Sequence, residues 1–139
     1  MSDFVLKNAF VDINGTDFSN HTEEVHVTSE AEAVEDTAMG DGSRSYLQGF
    51  KASQISLVLQ SDFDAGSVDA ILWPIYDNGT AVPVRVRATT AAISATNPEW
   101  QLTGQIFNYN PLDGRVGELA KTPITFRSNG TALVRDTTP

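Results

Sequence analysis

The chain has 139 residues, 40% of them hydrophobic and 19% charged, which is enough for one packed domain and excludes wholesale disorder. It contains no cysteine, which excludes disulfides, zinc ribbons, iron–sulfur sites and thiol nucleophiles. The net charge is −9 with only nine scattered Lys and Arg, so a grip on nucleic acid is disfavoured, because phosphate binding needs clustered cations.

In chain order, Phe4 to Ile13 is rich in β-formers and ends at Asn14-Gly15, a pair that tolerates the positive φ of a tight turn. Met1 to Lys7 lacks the basic-then-apolar order of a signal peptide, so the expected compartment is the cytoplasm of the cell that makes the chain. Glu24 to Thr28 alternates, placing Val25 and Val27 inward and His26 outward, as in a half-buried strand. From Ser29 to Ser45 the pattern dissolves, and the expectation is a long, mobile, acidic loop with extended edges. Along it lie Glu30, Glu32, Glu35, Asp36, Met39, Asp41 and Arg44, and no Lys or Arg lies between Lys7 and Arg44.

Ile55, Leu57 and Leu59 alternate with Ser56, Val58 and Gln60, which predicts a strand with a firm inward face. Asp62 and Asp64 offer helix N-cap oxygens, and Val68, Ile71, Leu72, Ile75 and Tyr76 form an amphipathic stripe. The spacing predicts one helix over about 64–76, kinked or stopped by Pro74 and terminated by Asn78-Gly79. Val82, Val84 and Val86 predict a strand, with Pro83 favouring a sheet edge. Trp100, Leu102, Gly104 and Ile106 predict another, with Trp100 in the core. Phe107 and Tyr109 then share the opposite face, either as an aromatic interface patch or under the helix. A strand over 122–127 meets a hairpin signal at Ser128-Asn129-Gly130, and 131–135 returns as a short last strand. The expected fold is mostly β: a single-domain sandwich or barrel over 1–139, with six to eight antiparallel strands and one helix.

No constellation for catalysis emerges. His21 and His26 have no recognisable partners and are read as solvent-exposed. A calcium loop starting at Asp62 would need Glu at its twelfth position, where Trp73 stands. The Asn-Gly-Thr tripeptides at Asn14, Asn78 and Asn129 sit at element ends and are explained by turn chemistry. Trp73, Tyr76, Trp100, Phe107 and Tyr109 raise the alternative of a sugar-binding platform. The chain is read as a non-enzyme with no catalytic residue, cofactor or metal, and no apolar run approaches the ~20 residues that span a bilayer.

Several short pieces recur in a familiar order. They are Gly40-Asp41-Gly42, Gln48-Gly49-Phe50-Lys51, Asp62-Phe63-Asp64-Ala65-Gly66-Ser67-Val68 and Ser94-Ala95-Thr96-Asn97-Pro98. Phe107-Asn108-Tyr109-Asn110-Pro111-Leu112-Asp113-Gly114, Val116-Gly117-Glu118 and Thr125-Phe126-Arg127 complete the set. Together they resemble the major tail (tail tube) proteins of long-tailed phages infecting actinobacteria. The resemblance implies a β-sandwich or barrel with one flanking helix, in hexameric rings stacked as a tube for genome passage. It implies a virion location and, as partners, further copies of itself and terminator, tape measure and distal tail proteins. Double-stranded DNA would pass without specific binding, and no membrane is involved. In that family a long loop between early strands commonly reaches neighbouring subunits, a place taken here by the acidic segment Ser29 to Arg44, so the resemblance makes Glu30, Glu32, Glu35, Asp36, Met39, Asp41 and Arg44 the candidate contacts with other subunits. The alternatives are a capsid decoration protein, a tail completion protein or a carbohydrate-binding module.

Overall fold

Asn14 and Gly15 both adopt positive φ, 52° and 86°, and close a two-residue turn in which Ile13 pairs with Thr16. This joins β1 (Phe10–Ile13) to β2 (Thr16–Asp17). The computed structural model describes residues 6 and 8–138, so the strand expected from Phe4 onward lies partly outside the described residues. A 3-10 turn, Ser19–His21, leads to β3 (Thr22–Glu35), and then come β4 (Tyr46–Gln60), α1 (Val68–Asn78), β5 (Val82–Arg87), β6 (Glu99–Tyr109), β7 (Lys121–Ser128) and β8 (Val134–Asp136). All strands join one antiparallel sheet in the order β2-β1-β5-β6-β7-β4-β3, with β8 beside the first residues of β6.

The sheet must curl. Its two outermost strands, β2 and β3, are joined by residues 18–21 alone. Such a link spans at most ~18 Å, whereas six strand spacings in a flat sheet would cover ~29 Å. Curling lets strands from distant positions share one core: Val11 and Ile13 from β1, Ile55, Leu57 and Leu59 from β4, and Ile124 and Phe126 from β7. Helix α1 adds Val68, Leu72 and Ile75 to that core. Each such aliphatic side chain contributes about 2 kcal/mol on burial.

Among the described residues the eight strands and one α-helix match the expected class, and several particulars differ. The helix runs from Val68 to Asn78 with Ser67 at its N-cap, so it starts later than position 64 and continues through Pro74. Asp62 instead accepts the Asp64 N–H at 3.0 Å in the preceding turn. Gly79 ends the helix at φ 64°, and Thr80 N–H reaches the Ile75 carbonyl at 3.2 Å, a Schellman closure. Pro83 is not at an edge, since β5 lies between β1 and β6. Its carbonyl accepts the Asn14 N–H at 2.8 Å, so the donor it lacks would have faced the turn where β1 ends. Ser128-Asn129-Gly130 is not a hairpin: β8 pairs with β6, not β7. The chain leaves the β6 edge at Ser128 and resumes on that same edge at Val134. Trp100 is only partly buried, with the Arg135 guanidinium 5.7 Å from its ring.

Close approach explains Gly104. A Cβ there would stand 2.6 Å from the Arg127 carbonyl oxygen, which belongs to the backbone of β7. Gly104→Ala is expected to force β6 and β7 apart and to destabilise the fold by roughly 1–3 kcal/mol. Urea unfolding should show a lower midpoint with an unchanged slope, and an unaltered midpoint would refute the tight approach.

Candidate functional site

The segment expected as a loop over 29–45 is mostly a strand. β3 runs without a break to Glu35, and its distal half pairs with the first half of β4. Ser29 faces Ser53, Glu30 faces Ala52, Ala31 faces Lys51, Val34 faces Leu47 and Glu35 faces Tyr46. A register shift falls between Ala31 and Ala33, around Glu32. Only the first six or seven residues of β3 and the last seven of β4 belong to the body, because β4 pairs with β7 from Gln54 onward. Residues 29–52 therefore form a two-stranded arm. The connection proper is 36–45, and it is ordered by hydrogen bonds: Asp36 N–H to Ser45 O at 2.9 Å, Ser45 N–H to Thr37 Oγ1 at 2.8 Å, and Ala38 N–H to Asp41 Oδ2 at 2.7 Å.

The arm has no core of its own. Every residue from Ser29 to Ala52 is exposed except the half-buried Gly49. Val34, Met39, Tyr46, Leu47 and Phe50 stand in the open, Phe50 at 89% and Met39 at 104% exposure. An isolated two-stranded ribbon is marginal in water, and adjoining exposed apolar side chains mark a surface meant for contact. The candidate residues Glu30, Glu32, Glu35, Asp36, Met39, Asp41 and Arg44 are all brought together on this arm or its tip. Arg44 lies 3.8 Å from Glu35, the one ion pair of the tip among the described residues. Among the described residues the outer edge of β3 has no strand partner, and Glu23, Glu24, Glu30, Glu32 and Glu35 charge it against indiscriminate pairing.

Phe107 and Tyr109 do not share a face. β6 skips register against β7 between Ile106 and Tyr109, so Phe107 and Asn108 together oppose Thr125 in a β-bulge. The bulge leaves Phe107 exposed and turns Tyr109 to the side of its partner Ile124, against the core. There the Tyr109 hydroxyl donates to Asp69 Oδ1 at 2.6 Å, and its ring stacks on Tyr76 with centroids 5.8 Å apart. Burial, then the Asp69 carboxylate, pushes the phenol pKa well above its ordinary value. Trp73 joins at 6.0 Å from Tyr109, but tilted by 42°, so the three rings form no flat platform for a sugar.

A second polar cluster lies on the outer face, and the sequence reading did not single it out. Cross-strand pairing aligns Phe10, Arg87, Glu99 and Asp136 in one row, and Asp12, Arg85, Gln101 and Val134 in the next. Glu99 is only 1% exposed. Its carboxylate accepts from Arg87 at 3.1 Å and from Gln101 at 2.7 Å, and Asp12 accepts from Arg85 at 2.9 Å. The Arg87 guanidinium also sits 4.0 Å above the Phe10 ring. With Gln101 Nε2 also donating to Asp136 Oδ2 at 3.3 Å, these contacts clamp β1, β5, β6 and β8 to one another. The legible signal was Arg85 and Arg87 two apart on a polar strand face, with Asp12 and Glu99 alternating elsewhere.

Neither histidine sits in a catalytic arrangement. His21 Nε2 lies 3.2 Å from Asp62 Oδ2 in a partly exposed contact, and His26 Nε2 lies 3.6 Å from Glu24. The Asp64 N–H, the Ser67 hydroxyl and His21 hold the Asp62 pKa below the ordinary carboxylate value. Among the described residues no cluster of three or more His, Asp or Glu side chains is placed to hold a metal, and no helix is long and apolar enough to cross a membrane.

No protein-family profile matches the chain, and no curated protein matches it in sequence. Among solved structures it is similar to a chain in the virion of a native gene transfer agent particle, with TM-score 0.72, 15% identity, and coverage of 95% of this chain and 96% of that one. It is similar to a chain in the tail of an empty gene transfer agent particle of C6 symmetry, with TM-score 0.65, 18% identity, and coverage of 86% and 83%. It is also similar to the SPP1 tail tube, with TM-score 0.72, 12% identity, and coverage of 94% and 77%. At these identities the likeness is one of fold, shared with chains of a gene transfer agent particle and with the SPP1 tail tube.

Proposed function

We propose that this chain is the tail tube subunit of a long-tailed phage of an actinobacterial host, a structural virion protein rather than an enzyme. Six copies form a ring, and rings stack into a conduit for the genome. The observation that carries this reading is the exposed arm over 29–52, a coreless ribbon with apolar side chains on a body that has the tail tube fold. A single domain over 1–139 supplies both body and arm. The arm residues Glu30, Glu32, Glu35, Asp36, Met39, Asp41 and Arg44 contact neighbouring copies, and the exposed Phe107 is a further contact. The C6 symmetry of a similarly folded gene transfer agent tail supports six-fold rings. A net charge of −9 suits a channel that DNA slides through without being held. Terminator, tape measure and distal tail proteins are the partners at the tube ends.

Negative-stain microscopy of the purified chain at high concentration tests this directly. Rings and tubes with a central channel are the expected result. A strict monomer at every concentration, absent from the tail fraction of particles, would overturn it.

A further inference from the structure

Strand β4 is continuous for 15 residues, and its two ends meet different surroundings. Tyr46 to Ala52 lie in the arm. At the other end, Ser61 follows Gln60 and is tied to the segment 111–120: its N–H donates to the Ala120 carbonyl at 3.0 Å and its Oγ to the Pro111 carbonyl at 3.1 Å. At about 3.3 Å per residue, the start of β4 and this segment stand roughly 45–50 Å apart. The arm of a subunit cannot fold back onto its own 111–120 segment.

That segment is a closed knob. Asp113 and Lys121 exchange both backbone hydrogen bonds at 3.0 Å, and Glu118 N–H reaches the Arg115 carbonyl at 3.0 Å. From it Leu112, Val116 and Leu119 project into solvent, Val116 at 107% exposure. The molecule thus carries two sets of uncovered aliphatic and aromatic side chains, one at each end of its longest strand. Their charges differ as well. The arm holds Glu30, Glu32, Glu35, Asp36 and Asp41 against Lys51 and Arg44, whereas residues 111–121 balance Asp113 and Glu118 against Arg115 and Lys121. On a chain of net charge −9 the knob is a neutral landing place. Among the described residues Arg115 makes no ion pair, and neither do Asp36 and Asp41.

We propose that the arm of one copy docks on the 111–120 knob of the next, Val34, Leu47 and Phe50 covering Leu112, Val116 and Leu119. Asp36 and Asp41 come to Arg115. The proposal rests on the tube reading and deepens it by naming the acceptor surface. Two different patches make a heterologous contact, which closes into a ring where the rotation between copies closes and runs on along an axis where it does not; patches at opposite ends of the longest strand fit the second arrangement. That is the geometry of ring upon ring.

The absence of cysteine makes the test clean. In a Phe50→Cys/Val116→Cys double variant, a short bis-maleimide should convert assembled tubes into a ladder of covalent multimers on a denaturing gel. Each single variant should give no ladder. Tubes that form but yield no ladder overturn the docking while leaving the tube reading intact. Charge reversal is the second arm. Arg115→Glu should raise the concentration needed for tube formation about tenfold, and adding Asp36→Arg should restore much of it. A double reversal no better than the single overturns the proposal even if the cysteine pair disturbs assembly. A wild-type chain that forms no tubes at all overturns both readings.

Discussion

Replacing residues 30–52 by Asn-Gly should leave a folded monomer and abolish assembly. The excision joins Ser29 to Ser53, which face each other in the β3–β4 register, by a two-residue turn of the type that strand twist favours. None of the buried hydrophobic residues lies in the removed stretch. The melting temperature should therefore move by only a few degrees, at about 0–1 kcal/mol of lost stability. Sedimentation velocity would show a single slow species at concentrations where the parent chain forms rings and tubes. Tubes formed by the excised chain would remove the arm from the assembly mechanism, and an unfolded product would mean that the arm is part of the body.

Glu99→Ala should produce the largest loss of stability among single substitutions outside the apolar core. The carboxylate is buried and accepts from Arg87 and Gln101, and Arg85 lies 4.0 Å away. Its removal strands the Arg87 guanidinium, whose side chain is mostly buried and whose Nε has no protein partner among the described residues. Breaking a buried pair by deleting one member costs about 3–5 kcal/mol, equivalent to a fall in melting temperature of roughly 10 °C or more for a chain of this size. Glu118→Ala, at an exposed carboxylate, should change stability by no more than ~0.5 kcal/mol. Circular dichroism melts of the two variants decide the matter. Equal melting temperatures would show that the outer-face cluster is not a clamp.

The arm was the part of the site least legible in the sequence. Period-two alternation reads as a strand when one face is buried, and residues 29–35 have both faces in solvent. Glu30, Ala31, Glu32 and Ala33 do alternate, but Glu and Ala are poor strand formers and the two alanines bury nothing, so the stretch does not read as a strand although it hydrogen-bonds as one. The bulge at Phe107 and Asn108 was hidden for a different reason. Alternation continues in the sequence to Tyr109, and the register slip exists only in relation to β7. Pro83 misled because its missing donor matters only if a partner strand continues beside it, and β1 stops one residue short. Glu99 looked like an ordinary polar residue on an outward face. Its burial comes from Arg87, Gln101 and Asp136, contributed by three strand segments that are remote or only nearby in the chain.

By itself the sequence determined the elements whose signal is local. The Asn14-Gly15 turn follows from the positive φ those residues accept, and the β5 strand from Val82, Val84 and Val86 at period two. The Val68–Ile75 stripe and Gly79 determined a helix and its end, because one helix face and one left-handed residue suffice. Charge and the lack of cysteine determined the classes of chemistry set aside. Only the tertiary structure decided which strand neighbours which, where the sheet curls, and that β3 and β4 outrun the body as an arm. Those depend on pairings between residues 11 to 77 positions apart, from Glu35 with Tyr46 to Phe10 with Arg87, for which the free energy comes from mutual burial and register, and no local stretch of the chain encodes them alone.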